Sequence, residues 1–310
     1  MPARLRPGSS SPTGVVFFDK PAGLSSFAAI GAIKRAAATR KVGHTGTLDP
    51  FATGLLITLL GRGTRCARYF TGLDKEYHAV VRFGSATDTD DATGQVIRDA
   101  ELPPASALEP ALCRFQGTFE QLPPDYSALH VDGRRAHEIA RSGERPAVKT
   151  RMVTVERIEI TNTEILGDRL ACATLALRCS AGTYVRSIAR DLGAVLGSAA
   201  HAAALRRTAV GPFTVEEAVR DGALRIPEDL RELADVLARL PGARRIEVSA
   251  TTAEAVLHGR PLSVQRLASY SDGTDGLLIL EHDGETLAVG MVSEDRFAYD
   301  AVLVGGAARD

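Results

Sequence analysis

The sequence predicts a mixed α/β (α+β) fold with a small β-rich unit at its C-terminal end, on three observations. Apolar runs of strand length alternate with amphipathic helical stretches over most of the chain. Two long β-rich runs, Met152 to Ile165 and Arg169 to Cys179, meet at a Gly167-Asp168 turn and read as a hairpin. Beyond the Pro241-Gly242 break, short β-rich runs (Gly276 to Leu280, Thr286 to Val292) alternate with Gly/Asp turns. At 310 residues, 45% hydrophobic and 24% charged, the chain has the composition of a soluble globular protein with one large core and one small one.

In order, residues 1–13 have no apolar segment and are expected to be a disordered tail. Gly14 to Phe18 reads as a strand ending in the Asp19-Lys20-Pro21-Ala22-Gly23 turn. Ser25 or Ser26 then caps a helix running to about Ala38, with Phe27, Ile30 and Ile33 on one apolar face. Gly43, Gly46, Pro50 and Gly54 stiffen an irregular loop carrying Asp49, which leads into a buried strand, Leu55 to Leu60. Gly63 to Phe70 suggests a short helix, and Ala79 to Phe83 a strand. Asp88 to Gly94, DTDDATG, resembles a calcium loop but lacks its closing Glu and flanking helices, so it reads as an acidic turn. A helix is expected over about Ala105 to Phe115. Two prolines then make Gln121 to His130 extended, and Arg135 to Ser142 is a short basic helix stopped by Gly143. Ser180 to Gly193 reads as a strand end, a Gly182 break, a Thr183 cap and a helix with Tyr184 and Arg186 in its first turn. His201 to Arg207 and Gly211 to Phe213 close a section of core, and Pro227 to Leu240 is an amphipathic helix. The expected units are residues 14–245 and 246–310.

The net charge of −1 excludes a global basic field, but cations cluster locally. Between Arg134 and Arg151 of the Pro-rich arm of about 121–151, six Lys/Arg (Arg134, Arg135, Arg141, Arg145, Lys149, Arg151) stand against only Glu138 and Glu144. Others are Lys34/Arg35/Arg40/Lys41, Arg62/Arg65/Arg68 and Arg206/Arg207. The four cysteines have no metal-ligand spacing and read as buried, reduced thiols of a cytoplasmic protein. No apolar run has the length to span a membrane.

Asp49 stands out because a carboxylate at the edge of a core is costly unless paired or used. Arg186 is equally out of place, since the dipole at a helix start repels a cation. An anionic partner would explain it, and Asp49 is the candidate.

The segments HTGTLDPFATGLL, DKEY, PDYSALH and GTYVRSIARDLG, in this order and spacing, resemble the TruB family of tRNA pseudouridine synthases. The opening VVFFDKPAGLSS and closing LRRTAVGPF fit as well, so the resemblance spans about 14–215. Residues 246–310, with HGRPLSV and LAVGMVSEDR, weakly resemble the PUA-type RNA-binding domain of that family. The resemblance implies the pseudouridine-synthase fold, a curved mixed sheet flanked by helices, for residues 14–245. It implies isomerisation of the T-loop uridine at tRNA position 55, with no metal or organic cofactor.

Asp49 then matches the catalytic Asp, acting as nucleophile at C1′ or base at C2′ of the ribose. Arg186 matches the residue that pairs with it, and Tyr77 the active-site Tyr that stacks on the base and moves the C5 proton. Tyr184 is a supporting wall, Leu205 an apolar residue under the pocket, and Lys20 a support for the catalytic loop. His44 matches the residue that fills the gap left when the base is extruded. The arm resembles the family's flexible thumb, which places Arg134, Arg135, Arg141, Lys149 and Arg151 against RNA phosphates. One departure is His130, where family members commonly carry Lys. The implied partner is the T-arm stem-loop of tRNA, with a monomeric protein and no membrane.

Two readings compete with this one. One is an RNA-binding or RNA-folding protein with incidental catalysis, and the other a small-molecule enzyme sharing the fold. The second leaves the basic arm without a purpose. Removing 246–310 is expected to weaken RNA binding while turnover survives.

Overall fold

The computed structural model describes residues 12–303 apart from 128, 132, 145, 264–266, 268–275 and 294–295. Ten strands form one mixed sheet, in the order Val219–Arg220, Gly14–Lys20, Thr53–Leu60, Ala200–Val210, Lys75–Phe83, Arg169–Cys179, Arg151–Leu166 and Gly117–Gln121. Val42–His44 and Phe213–Thr214 add at the sides of Thr53–Leu60 and Ala200–Val210. Most neighbours are antiparallel. The Thr53–Leu60 and Ala200–Val210 strands run parallel and pair only at Arg206↔Thr53 and Arg207↔Gly54.

Thr53–Leu60 is apolar on both faces from Leu55 on, apart from Thr58, whose hydroxyl donates to Val16 C=O, because both its faces are covered. Leu56 and Leu60, with Val16 and Phe18, pack on Ala29, Ile33 and Ala37 of the first helix. Leu55, Ile57 and Leu59 face the other way with Val15, Phe17, Phe70 and Phe213. Further along the sheet, Ala79, Val81, Leu175 and Leu177 pack on Ile188 and Leu192 of the Val185–Val195 helix.

The first helix, Ser26–Ala36, buries Ala29, Ile30 and Ile33, but Phe27 is 77% exposed and does not belong to its apolar face. Ser25 is the cap, accepting from Ala28 N–H, which frees the buried Ser26 for another partner. The helix expected over Pro227 to Leu240 shrinks to Leu233–Leu237. Arg231 exchanges two 2.9 Å backbone hydrogen bonds with Val15, and the stretch before it folds into turns closed by Asp229 N–H to Arg225 C=O and Leu230 N–H to Pro227 C=O. Thr183 does not cap the Val185–Val195 helix, whose cap position is Tyr184. All four cysteines are free, but only Cys66 and Cys179 are buried; Cys172 is partly exposed and Cys113 exposed. Of the expected 1–13 tail only Pro12 and Thr13 are described, and the Thr13 hydroxyl accepts from Arg62 N–H.

Five strands of the C-terminal part form a second sheet, ordered Arg244–Glu247, Leu277–His282, Glu285–Ser293, Arg296–Val302, Leu262–Ser263. One face closes on the Ala250–Leu257 helix through Ile246, Leu278, Leu280 and Val256. The other face, Leu277, Ile279, Val289 and Ala301, joins the core around Phe17, Leu59 and Phe70. Arg62 donates to Val302 C=O and Arg68 pairs with Asp300, so these two cations dock the second sheet on the first. Removing 246–310 would open this shared core, which makes the excision a test of folding rather than of RNA binding. No helix among the described residues is long and apolar enough to cross a membrane.

Candidate active site

The loop bearing Asp49 is tied down at both flanks. Leu48 N–H donates to Ser26 Oγ at 2.8 Å, and the same hydroxyl donates back to Leu48 C=O at 2.9 Å. Gly23 N–H reaches Pro50 C=O at 2.7 Å. Beneath the loop lies Lys20, fully buried, with Nζ donating to the carbonyls of Pro21, Leu24 and Pro50. Lys20 thus supports the loop as expected, without lining the cavity. At the loop's exit Gly54 has φ +107, and a Cβ there would lie 2.2 Å from Arg207 C=O, so only glycine fits.

Asp49 and Arg186 are 137 residues apart in sequence and meet as a bidentate pair. Arg186 Nε donates to Oδ2 at 2.8 Å and Nη2 to Oδ1 at 2.9 Å. The guanidinium is spent in full: Nη1 donates to Thr89 C=O and Nη2 also to Tyr126 C=O, with Asp91 Oδ2 3.6 Å from Nη1. Only 3% of the Arg186 side chain is exposed, against 29% for Asp49, so the carboxylate is the half of the pair that opens outward. Burial pushes the Asp49 carboxyl above its ordinary value, while the Arg186 fork and Lys20 pull against it and keep the ionised form accessible.

Asp49 opens into a cavity of about 470 Å³, lined among others by His44, Tyr77, Tyr184, Leu205 and Arg207. Its size suits a nucleoside-sized group. Tyr77 sits on the Lys75–Phe83 strand, and burial pushes its phenol up, so it is neutral at pH 7. His44 is pushed down by burial and then by the charge of Arg207, which leaves an uncharged, flat ring. Its Nδ1 is buried with no hydrogen-bond partner among the described residues. Leu205 is 7% exposed at the cavity floor. Tyr184 is held on three sides. Its N–H donates to Gln121 Oε1 at 2.8 Å, Gln121 Nε2 donates to its carbonyl at 3.0 Å, and the Arg151 guanidinium stacks 4.6 Å from its ring centre.

The site residues named from sequence therefore converge, with Lys20 one layer below. The arm cations do not form one group. Arg134 is half-exposed and 3.6 Å from Glu144, Lys149 is exposed, and Arg151 lies at the arm's root on Tyr184. The side chains of Arg135, Arg141 and His130, and all of Arg145, lie outside the described residues.

Several supporting residues were not singled out by sequence. DTDDATG is an acidic turn, as expected, but it is folded onto the site: Thr89 and Asp91 hold Arg186, and Asp90 takes Arg190 Nη1 at 2.9 Å. The density of acids was the only signal. Gln121 carried none.

Lys20 gives a pH expectation. Burial pushes its ammonium down to about 8. Above that pH a neutral amine has two N–H groups for three carbonyls, and the 3.4 Å bond to Pro50 is the one to go. The single-turnover rate should therefore fall as pH rises through 8, a limb absent in Lys20→Met. Stability should move the other way. Between about 8 and 10.5 the unfolded chain holds a proton the folded chain has released, so this group's contribution rises with pH. A rate profile flat from pH 7 to 9.5, in the range bracketing that shift, would remove Lys20 from the loop's support.

The fold is that of the pseudouridine synthases. The chain superposes on a chain of a solved Cbf5-Nop10-Gar1 complex with a TM-score of 0.64 and 25% identity, covering 94% of this chain and 84% of that one. A solved H/ACA RNP bound to a substrate RNA containing 2′-deoxyuridine shares the fold, with a TM-score of 0.65, 23% identity, and 95% and 85% coverage. The model of the TruB family pseudouridylate synthase N-terminal domain matches residues 34–185, and that of the tRNA pseudouridylate synthase B C-terminal domain residues 186–238. tRNA pseudouridine synthase B of Thermobifida fusca (strain YX) is 40% identical over 281 residues, 89% of this chain and 93% of that protein. Its counterpart in Burkholderia mallei (strain NCTC 10247) is 39% identical over 302 residues, 95% and 98%. The chain belongs to the TruB family of pseudouridylate synthases.

Proposed function

We propose that this protein converts the uridine at position 55 of the tRNA T-loop to pseudouridine, acting on the T-arm stem-loop as a cytoplasmic monomer. The observation that carries this reading is the Asp49 carboxylate, gripped from behind by the Arg186 fork and open in front to a cavity walled by Tyr77, Tyr184 and His44. A uridine extruded from the loop fits that cavity, with its base against Tyr77 and the ribose towards Asp49. Asp49 attacks C1′ or removes the C2′ proton. Either way the N1–C1′ bond breaks, the uracil turns and C5 bonds to C1′, displacing the Asp49 carboxylate on the first path and recovering the C2′ proton from Asp49 on the second; the C5 proton is then lost as N1 gains one. Arg186 offsets the burial cost of the carboxylate and fixes its direction. In this reading Tyr77 stacks on the base and helps move the C5 proton, and His44 stacks in the gap in the RNA loop. Arg134, Arg135, Arg141, Lys149 and Arg151 are assigned to phosphates, and residues 246–310 to a PUA-like RNA contact.

The test is release of tritium from a T-arm stem-loop labelled at C5 of its uridines, beside the same RNA with cytidine at the target position. Release from the first alone is expected. A well-folded protein that binds the stem-loop and releases nothing would replace this reading with that of an RNA-folding protein.

A further inference from the structure

We propose that Arg207 is a positioning residue for the reaction, clamping the two ends of the Asp49 loop and fixing them against the strand that carries Tyr77. This rests on the isomerase reading above. Arg207 is the largest fully buried side chain among the described residues, 2% exposed. Its three nitrogens go to backbone carbonyls of one loop. Nη2 donates to Gly46 at 3.0 Å and Nη1 to Thr47 at 3.3 Å, before Asp49, and Nε to Leu55 at 2.7 Å, after it. No carboxylate pairs with it among the described residues. A buried, uncompensated guanidinium is expensive, and closing one loop by itself does not require a charge.

The backbone of Arg207 accounts for the rest of the placement. It is opposite Gly54 in the short parallel pairing and opposite Tyr77 in the antiparallel one, so with Arg206 it is one of two residues registered on both the loop's strand and the Tyr77 strand. Residues directly opposite in an antiparallel pair share a face, which brings the guanidinium beside the phenol on the cavity side. The charge is felt by four groups on three strands: it pulls Lys20, His44, Lys75 and Tyr77 downward, against burial in the case of Tyr77, with Asp49 in the same cavity. One side chain thus holds the backbone on both sides of Asp49, whose carboxylate Arg186 aims, and sets the field around the Tyr77 phenol.

Two variants separate these effects. Arg207→Lys keeps the charge and loses the fork; Arg207→Gln loses the charge and keeps an amide donor. Both should lower the single-turnover rate on the stem-loop by about 100-fold with binding unchanged, as expected for a displacement of roughly 1 Å at the reacting group. The His44 imidazole, followed by NMR in the RNA-free protein, should titrate at higher pH in Arg207→Gln and at the wild-type pH in Arg207→Lys. Full activity in a folded variant would overturn the proposal, as would rate and affinity falling together. Unfolding of both variants would assign Arg207 to stability alone and overturn it too. The His44 titration needs no RNA, so a wild type inactive on uridine would sink the isomerase reading and leave the electrostatic role of Arg207 separately measurable.

Discussion

Asp49→Asn is expected to abolish tritium release, by at least about 10⁴-fold, as loss of a residue that bonds to the reacting centre or deprotonates it does elsewhere. The protein should stay folded and bind the stem-loop as before. Two effects oppose each other in the folded state. The substitution relieves the burial cost that pushes the Asp49 carboxyl up, and it takes from Arg186 its bidentate partner. An arginine stripped of every acceptor in a buried site would destabilise by several kcal/mol. Arg186 is not stripped, because Thr89 C=O, Tyr126 C=O and the Asp91 carboxylate stay where they are. The asparagine oxygen can still accept one of the two donors. The net change in stability is therefore small, and circular-dichroism melting with filter binding checks it. Residual release within tenfold of wild type would mean that Asp49 orients the ribose and another group does the chemistry.

What could be read from the sequence was local. The loop glycines, Pro50 and the apolar run after Gly54 placed a stiff turn ahead of a buried strand, and the structure has both. The hairpin around Gly167 was visible because its signal, two alternating runs and a turn, is contained in adjacent residues. The Asp49–Arg186 pair was legible as two misplaced charges that explain each other. Residues whose role is set by register between distant strands gave no such sign. Arg207 read as half of a basic doublet, yet its neighbour Arg206 turns to the half-exposed Asp19 pair while Arg207 points inward. Alternation along a strand separates them, and nothing in the doublet says which faces in. Gln121 is uncharged and lies in a run read as extended, so its grip on Tyr184 depends wholly on how the helix start is brought to it. Phe27 failed for the complementary reason. Helical spacing marks a stripe but not its edge, and the packing of Ala29, Ile30 and Ile33 on the sheet leaves Phe27 outside, beside Lys34.

Arg186→Lys is the second large effect, about 10³-fold on the single-turnover rate with the affinity for the stem-loop retained. The charge survives the substitution, so any loss reports geometry. Arg186 makes two parallel bonds to Asp49, and the same Nη2 also reaches Tyr126 C=O at the base of the arm. An ammonium at the end of a flexible stem can sit between the oxygens of Asp49 or near Asp91, but it cannot keep both carboxylate oxygens and two carbonyls in one plane. The carboxylate would turn within the cavity while remaining ionised, and the two carbonyls left without donors would loosen the Asp88–Gly94 turn and the arm's root. A phosphate-binding arginine would behave differently: replaced by lysine it keeps its salt-dependent attraction, and replaced by a neutral residue it loses affinity with little effect on the bound rate. Measuring rate and affinity for Arg186→Lys and Arg186→Gln side by side separates the two. Rate loss in both, with affinity intact in both, is the signature of a fork that aims Asp49. Equal losses of rate and affinity would make Arg186 an RNA contact that the carboxylate merely balances.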